Sequence, residues 1–308
     1  MTIRPLAFAL LAAFSAQAEA NIDIQFDYTY DSSGFFGNAS HQSALNAAAN
    51  LFESRFSDQL TAITSSGLNS FNTAFFNPGN PSGARIVNND DSFAANVIRV
   101  YAGGFNFTDN TLGEGGPGGY SCSGIGTFCS EAARRGQGET QNLYSSNGTL
   151  LSRDAVDIAP WGGSITFDTD TNWNFNTASG PSSSQYDFYS VAVHELGHLL
   201  GFGASDSFSN HVIGTNFVGP AAGTVALNSG LDHWASGTLS VFGGVSQEAA
   251  MTPSLANGTR KNFTNLDFAA MQDIGWQVTA VPEANTWAMM LSGLVLVGGL
   301  VRRRSTLR

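Results

Sequence analysis

The segment YDFYSVAVHELGHLLG, residues 186–201, constrains the fold more than any other part of the chain. It places His194, Glu195 and His198 in a His-Glu-x-x-His pattern within an apolar sequence of helical periodicity. Residues four apart lie on one face of an α-helix, so the two imidazoles can converge on one metal ion. Glu195 is rotated by about 100° from the first histidine, which places its carboxylate beside the ion without ligating it. Gly201 is expected to end the helix.

Two histidines do not complete a catalytic zinc site, which usually has three protein ligands and one open position. The downstream sequence offers four candidates for the third ligand: Asp206, His211, His233 and Glu248. The next loop could supply Asp206 or His211, a second helix could supply Glu248, and His233 lies further along the chain. Ligand chemistry alone does not choose among them.

The composition excludes two classes of partner. The 308-residue chain contains 35 glycines and a single lysine, Lys261, and its net charge is −11. Nucleic acids and anionic lipids are both bound through clusters of lysine and arginine, so we expect neither as a partner of the folded domain. An acidic, loop-rich composition is typical of an exported protein.

The two cysteines are expected to form a disulfide. Cys122 and Cys129 are separated by six residues, and an exported chain reaches an oxidising compartment. Their spacing lacks the additional cysteine or histidine partners of a structural zinc site.

Both ends of the chain have the patterns of targeting segments. Residues 1–20 combine Arg4, an apolar run and small residues, an order that predicts a cleaved secretory signal peptide. Near the other end, the apolar run at residues 287–301 is followed by three arginines, which would remain on the cytoplasmic side of a membrane. We therefore expect the folded domain to span residues 21–280.

The C-terminal segment, residues 281–308, resembles a known sorting signal. Val281, Pro282 and Glu283 precede the apolar run and the arginine cluster, an arrangement similar to the PEP-CTERM tail of exported Gram-negative proteins. Ala284 stands where that motif has a second proline. The resemblance implies transient insertion in the membrane, processing by an exosortase-type enzyme, and delivery to the cell envelope or the extracellular matrix.

Between its ends the sequence predicts strands alternating with helices. Three segments have the apolar patterns of strands: residues 22–28, 96–105 and 164–167. Residues 44–56 repeat apolar side chains at helical spacing, with Ser40 or Ser43 as the expected N-cap. Residues 65–92 and 109–150 are rich in glycine, asparagine and serine, and we interpret them as loops. This order predicts a mixed α/β sheet packed on helices.

The sequence around His233 resembles the end of a metzincin catalytic domain, in particular one of the leishmanolysin type. The segment LDHW contains His233, and Met251 follows in EAAMTP. Metzincins of that type insert a segment between the helix glycine and the third histidine, and residues 202–232 correspond to such an insertion. The segment DIGW, residues 273–276, is also similar to the end of that domain.

This resemblance implies both a fold and a chemistry. The fold would be α+β and zincin-like, with a twisted mixed sheet packed on helices, an active-site helix and an irregular C-terminal subdomain. The implied zinc ligands are His194, His198 and His233. Glu195 would be the general base in peptide hydrolysis, and Met251 would lie in a turn beneath the metal.

Alternatives remain for the third ligand, for calcium and for the function. His211 is the second candidate for the third ligand.

Asp168 and Asp170 could bind calcium, although we favour solvated turn carboxylates. An extended substrate would pair with an edge strand, for which residues 164–167 are the candidate. The alternative function is that of a catalytically inactive or structural zinc protein of the envelope or matrix, and an intact Glu195 favours the enzyme.

Overall fold

The computed structural model describes residues 22–135 and 161–279, and the structural statements below concern those two segments. The predicted signal peptide and the predicted sorting tail from residue 281 onward lie outside them. Within the two segments, no helix has the length and apolar character needed to cross a membrane.

The described residues form five α-helices and fourteen strands. The helices are α1 (Ala39–Glu53), α2 (Phe128–Arg134), α3 (Phe188–Leu199), α4 (Asp206–Asn210) and α5 (Asn265–Asp273). The strands are β1 (Asp23–Asp27), β2 (Ser70–Phe75), β3 (Ile86–Asn88), β4 (Val97–Phe105), β5 (Gly113–Pro117), β6 (Gly119–Ser123), β7 (Gly162–Asp168), β8 (Trp173–Asn174), β9 (Tyr186–Asp187), β10 (Val212–Ile213), β11 (Asn216–Gly219), β12 (Gly223–Ala226), β13 (Leu239–Phe242) and β14 (Val245–Glu248).

The largest sheet has the strand order β1-β4-β7-β5. β1, β4 and β7 are parallel, with Phe26 opposite Val100, whereas β5 is antiparallel and lies at the edge. The alternating pattern of residues 22–28 forms the strand that was predicted, and Ile24 is buried where β1 packs against α1. β4 is buried along most of its length, as expected for a parallel strand in the interior of a sheet.

The prediction that residues 164–167 form an edge strand is wrong. This segment belongs to β7, which is paired on both sides, so that Ile165 lies opposite Ala102 of β4 and opposite Gly115 of β5. The edge strands are β1 and β5, and β5 lies beside β7 within residues 109–150, so the prediction of a loop there is wrong for this segment. A side chain at Gly115 would collide with Glu195 of α3, which explains why a glycine stands at this position of the strand.

The other predicted loop also contains strands. β2 and β3, within residues 65–92, form a three-stranded sheet with β6. A disulfide joins Cys122 of β6 to Cys129 of α2, with an S–S distance of 2.10 Å. Phe75 and Trp161 belong to an apolar cluster that packs against this small sheet. The segment therefore contributes to a second hydrophobic core, although its glycine- and serine-rich composition is typical of a loop.

Two helices pack against each other and against the main sheet. α1 begins after Asn38, whose side chain accepts a hydrogen bond from the amide of Ser40, so the N-cap lies before the serines that were predicted. α3 begins after Asp187, whose carboxylate caps the amide of Ser190. Gly201 follows the end of α3 with a φ of 109°, which favours glycine, as the sequence predicted.

The C-terminal part of the described chain is less regular. It contains α4, the three-stranded sheet β10-β11-β12, the hairpin β13-β14 and α5. The buried carboxylate of Asp267 joins these pieces, because it completes a capping box with Thr264 and accepts hydrogen bonds from the Trp234 indole and the Ala250 amide. The whole is a mixed α/β structure with several sheets and few helices, which is compatible with the zincin-like fold that the sequence implies.

One buried carboxyl makes the stability of this fold depend on pH. Asp58 is fully buried after α1, and its Oδ1 atom has no hydrogen-bond partner among the described residues. Burial raises the pKa of Asp58 to about 6, although its Oδ2 atom accepts a hydrogen bond from the amide of Gln277. The neutral carboxyl is therefore the form that the fold prefers.

Replacing this carboxyl with a neutral amide should remove the pH dependence. The stability that depends on a neutral Asp58 is complete below the unfolded pKa and is lost as pH rises through about 6. Between pH 4 and pH 7, we expect the unfolding free energy of Asp58→Asn to rise relative to wild type by up to about 3 kcal/mol. Urea denaturation at several pH values measures this difference, with the exposed Asp90→Asn as the control. A difference that stays constant with pH would contradict the assignment.

Candidate metal centre

Three imidazole rings meet at one point. The Nε2 atom of His194 lies 3.1 Å from that of His198 and 3.1 Å from that of His233, and the latter two atoms are 3.0 Å apart. In the part of the chain that the structure describes, this is the one group of three or more His, Cys, Asp or Glu side chains whose ligand atoms all lie within 4.8 Å of one another. His233 thus meets two residues of α3 from which it is separated by 35 and 39 positions in sequence.

The outer nitrogen of each ring faces a hydrogen-bond acceptor. Nδ1 of His194 lies 2.8 Å from the carbonyl oxygen of Ala250, and Nδ1 of His198 lies 2.8 Å from that of Phe202. Nδ1 of His233 lies 2.7 Å from the carboxylate next to it in sequence. Because an acceptor requires a proton on Nδ1, each neutral ring presents the lone pair of its Nε2 atom toward the other two.

This donor set fits a zinc ion. In a tetrahedral site with Zn–N bonds of about 2.0–2.1 Å, the ligand atoms lie roughly 3.3 Å apart, which is close to the observed spacing. Burial, and next the neighbouring imidazole, lower the pKa of His194 well below its usual range and that of His198 to about 4. Both rings are therefore neutral at pH 7 and available as ligands. Without a cation, three lone pairs directed at one another would repel.

The two ends of α3 fix the first two rings. At the N-terminus, the guanidinium of Arg260 forms a bidentate ion pair with the buried carboxylate of Asp187, with N–O distances of 2.7 and 2.9 Å. At the C-terminus, the amide of Phe202 donates to the carbonyl of Gly197, a bond that closes the last turn. The carbonyl of Phe202 then accepts from His198, so the turn after α3 also orients a ring.

The third ring is placed by the residue that follows it. Trp234 is fully buried; its backbone amide donates to the carbonyl of Met251 and its indole donates to Asp267. An isolated β-bridge also pairs Trp234 with Leu227. These contacts tie the segment that contains His233 to the turn beneath α3 and to α5.

Met251 lies against the underside of α3. Its side chain is fully buried, and a Cβ atom placed on Gly197 would approach the Met251 sulfur to 2.7 Å. Gly197, the residue before His198, thus has no side chain because the Met251 side chain occupies the space beside it. The carbonyl of Ala250, next to Met251, is the acceptor for His194, so this turn also orients a ring.

Glu195 lies beside the three nitrogens and is held by the edge strand. Its side chain is 6% exposed and lines a cleft of about 820 Å³ that all three histidines also line. The backbone amide of Gly115 in β5 donates a hydrogen bond to its carboxylate. Burial, and then the nearby carboxylate of Glu114, raise the pKa of Glu195 to about 8. A cation at the three-nitrogen site would favour the ionised carboxylate.

The other candidates for the third ligand do not reach this centre. The prediction of His211 as an alternative ligand is wrong, because both of its ring nitrogens face carbonyl oxygens, those of Val218 at 2.8 Å and Asp273 at 2.9 Å. Glu248 forms an ion pair with Lys261 at 2.9 Å. Neither these side chains nor the carboxylate of Asp206 belongs to the three-ring group, as far as the described residues extend.

The structure does not support calcium binding at the turn after β7. One oxygen of Asp168 accepts from the Phe107 amide and the other from the Thr171 hydroxyl. Asp170 accepts from the side chain of Asn106. The interpretation as solvated turn carboxylates is wrong for Asp168, which is buried at the end of β7, and it describes Asp170, which is exposed.

Sequence reasoning missed several residues around the site. Lys261 is buried, and its ammonium binds Glu248 and the Thr252 hydroxyl on both sides of the Met251 turn. A single lysine in an acidic chain was a usable signal for such a role. Gly115 lies within residues 109–150, for which the sequence predicts a loop. Closely spaced glycines nevertheless often indicate a close approach of the backbone to another element.

Comparisons with known proteins point the same way as the geometry. Residues 133–223, which include α3, match the family described as Matrixin. A segment of 50 residues is 47% identical to Metalloendoproteinase 1 of Glycine max, and it covers 16% of this chain and 16% of that relative. No solved structure matches the chain significantly. The two matches support a metalloprotease of the metzincin type.

The contact between Gly197 and Met251 predicts an unusual sign for a helix substitution. Replacing a glycine by alanine within a helix usually stabilises it by about 0.5–1 kcal/mol. Gly197→Ala should instead destabilise the protein by about 1–3 kcal/mol, because its new methyl group overlaps the methionine sulfur. Thermal unfolding measures the effect, and the double variant Gly197→Ala, Met251→Ala should lose the overlap. A more stable single variant would show that the two residues are not in contact.

Proposed function

We propose that this protein is an exported zinc-dependent endopeptidase. The observation that carries the proposal is the meeting of three Nε2 atoms beside a buried carboxylate in one open cleft. The matches to Matrixin and to a plant metalloendoproteinase support the class of enzyme. In this proposal His194, His198 and His233 are the zinc ligands, and the cleft supplies access for water and substrate.

The chain's own residues account for the proton transfers of peptide hydrolysis. When bound, zinc would supply a Lewis acid that lowers the pKa of a water molecule toward about 7 and polarises the carbonyl of the scissile peptide. Glu195 would accept a proton from the attacking water, and the oxygen of that water would add to the carbonyl carbon of the substrate. It then passes the proton to the amide nitrogen as the C–N bond breaks, so that an amine and a carboxylic acid are released. The hydrogen bond from Gly115 holds the carboxylate in position for both transfers.

The substrate would lie extended along β5. This strand is antiparallel to its neighbour and forms the edge of the main sheet, and residues 109–115 line the cleft beside the three imidazoles. An exposed edge offers backbone hydrogen bonds to an added strand. β5, and not residues 164–167 of β7, is therefore the strand proposed to pair with the substrate.

Export and processing are part of the same proposal. Residues 1–20 would direct secretion, and residues 281–308 would insert in the membrane and be processed by an exosortase-type enzyme. The destination would be the envelope or the matrix of a Gram-negative cell. Support comes from the order of charged, apolar and small residues in the two segments.

Substitution of the proposed base and of one ligand tests the proposal. Glu195→Gln should retain zinc but reduce casein hydrolysis by about 10²- to 10⁴-fold, because the amide cannot accept the proton. His233→Ala should lose both zinc and hydrolysis. His41→Gln, a change of a histidine outside the cleft, serves as the control. Zinc content is measured together with activity, and a wild-type protein that binds zinc stoichiometrically without hydrolysing any peptide would favour a structural zinc protein instead.

The edge strand offers a second test with an internal control. A Cβ atom on Gly115 would lie 2.9 Å from the Cβ atom of Glu195 and 3.1 Å from its carboxylate, whereas one on Gly116 would meet nothing within 4 Å. Gly115→Ala should lower kcat by about 10²-fold by displacing the base, with zinc retained. Gly116→Ala should leave kcat near that of wild type. Equal kcat values for the two variants would contradict the positioning of the base by β5.

A further inference from the structure

The carboxylate beside the third imidazole has a position that the proposed reaction does not yet use. Oδ1 of Asp232 lies 2.7 Å from Nδ1 of His233, whereas the other two rings of the centre face backbone carbonyls. Neither the His-Glu-x-x-His pattern nor the spacing of the third histidine identified this residue. Its side chain is 46% exposed, and that of His233 is 18% exposed, so the hydrogen bond between them lies at the border of the site with solvent.

The loop around this pair is built to hold both side chains. The amide of Asn228 donates to the carbonyl of His233, and the Asn228 side chain accepts from the amides of Asp232 and His233. Leu231 has a φ of 60°, a left-handed conformation that is strained for leucine. The absence of a side chain on Gly203 lets the backbone of Asp232 lie directly on the turn after α3. The loop therefore holds the carboxylate and the ring together at a cost in backbone strain.

The hydrogen bond between Asp232 and His233 affects how the ring can bind a metal ion. A carboxylate that accepts a hydrogen bond from Nδ1 keeps the proton there and leaves the Nε2 lone pair free for a metal ion. Its negative charge also makes the imidazole a stronger electron donor, which a backbone carbonyl does to a smaller extent. The hydrogen bond from Nδ1 to the carboxylate matters most at His233, because this ring is carried by a loop. The other two rings are carried by one helix.

We propose that Asp232 is a positioning residue of the metal centre, which holds His233 in its metal-binding orientation and tautomer and so increases the retention of zinc. This inference rests on the proposed function, since it takes zinc to be the ion at the centre. It assigns no contact between Asp232 and substrate. The carboxylate acts through the ring alone.

Two substitutions separate the charge from the hydrogen bond. Asp232→Ala removes both, and its dissociation constant for zinc should rise by about 10- to 100-fold. Asp232→Asn can still accept from Nδ1 but has no charge, so its loss of affinity should be intermediate. Both are measured on the full chain by competition with a chromophoric zinc chelator, which does not depend on activity. Asp206→Asn, an exposed acid in the same insertion, is the control and should bind zinc as wild type does.

A spectroscopic measurement identifies the cause of any weakening. In the zinc-loaded wild type, the Nδ1 proton of His233 should give a slowly exchanging downfield NMR signal, which Asp232→Ala should lose and Asp232→Asn should keep. The asparagine variant keeps the test valid if the alanine variant does not fold. If both variants bind zinc as tightly as wild type, the inference is wrong while the proposed function stands. A wild-type protein that binds no zinc would instead overturn the proposed function.

Discussion

Three lone pairs directed at one point are the constraint on which the rest of the site depends. Two of them come from α3, whose 3.6-residue period brings His194 and His198 to one face. The third comes from His233, which reaches the same point because Trp234 is fixed to the turn at Met251 and to α5. A cation at the centre would offset the repulsion between the facing lone pairs of neutral rings. If zinc binds as we propose, its binding would therefore stabilise the folded form of this region.

Buried polar groups connect the elements that carry the three rings. Asp267 connects the cap of α5 to Trp234 and Ala250, and the pair between Arg260 and Asp187 fixes the start of α3. A buried ion pair contributes little net stability, because removing two charges from water costs about as much as their attraction returns. It does specify geometry, since each partner requires the other at one distance and angle. This division between stability and specificity suits a centre whose ring nitrogens must be placed to a fraction of an ångström.

Local patterns predicted the elements whose causes are local. The helix of residues 188–199 and its end near Gly201 follow from periodicity and from the conformational freedom of glycine. The edge strand at Gly115 was missed, because its glycines make sense only once α3 lies beside them. His211 had the chemistry of a ligand, but two carbonyls enclose its ring, which no pattern of residue types reveals. The position of His233 came from resemblance to a family, since no local rule connects residues so far apart in sequence.

The most direct test of the three-histidine zinc site is an anomalous difference map, recorded at the zinc absorption edge from crystals of the zinc-loaded protein. We expect one peak at about 2.0–2.1 Å from the Nε2 atoms of His194, His198 and His233, with the fourth side of the ion open to the cleft. A peak elsewhere in the molecule, or a fourth protein side chain bound to the ion, would contradict it.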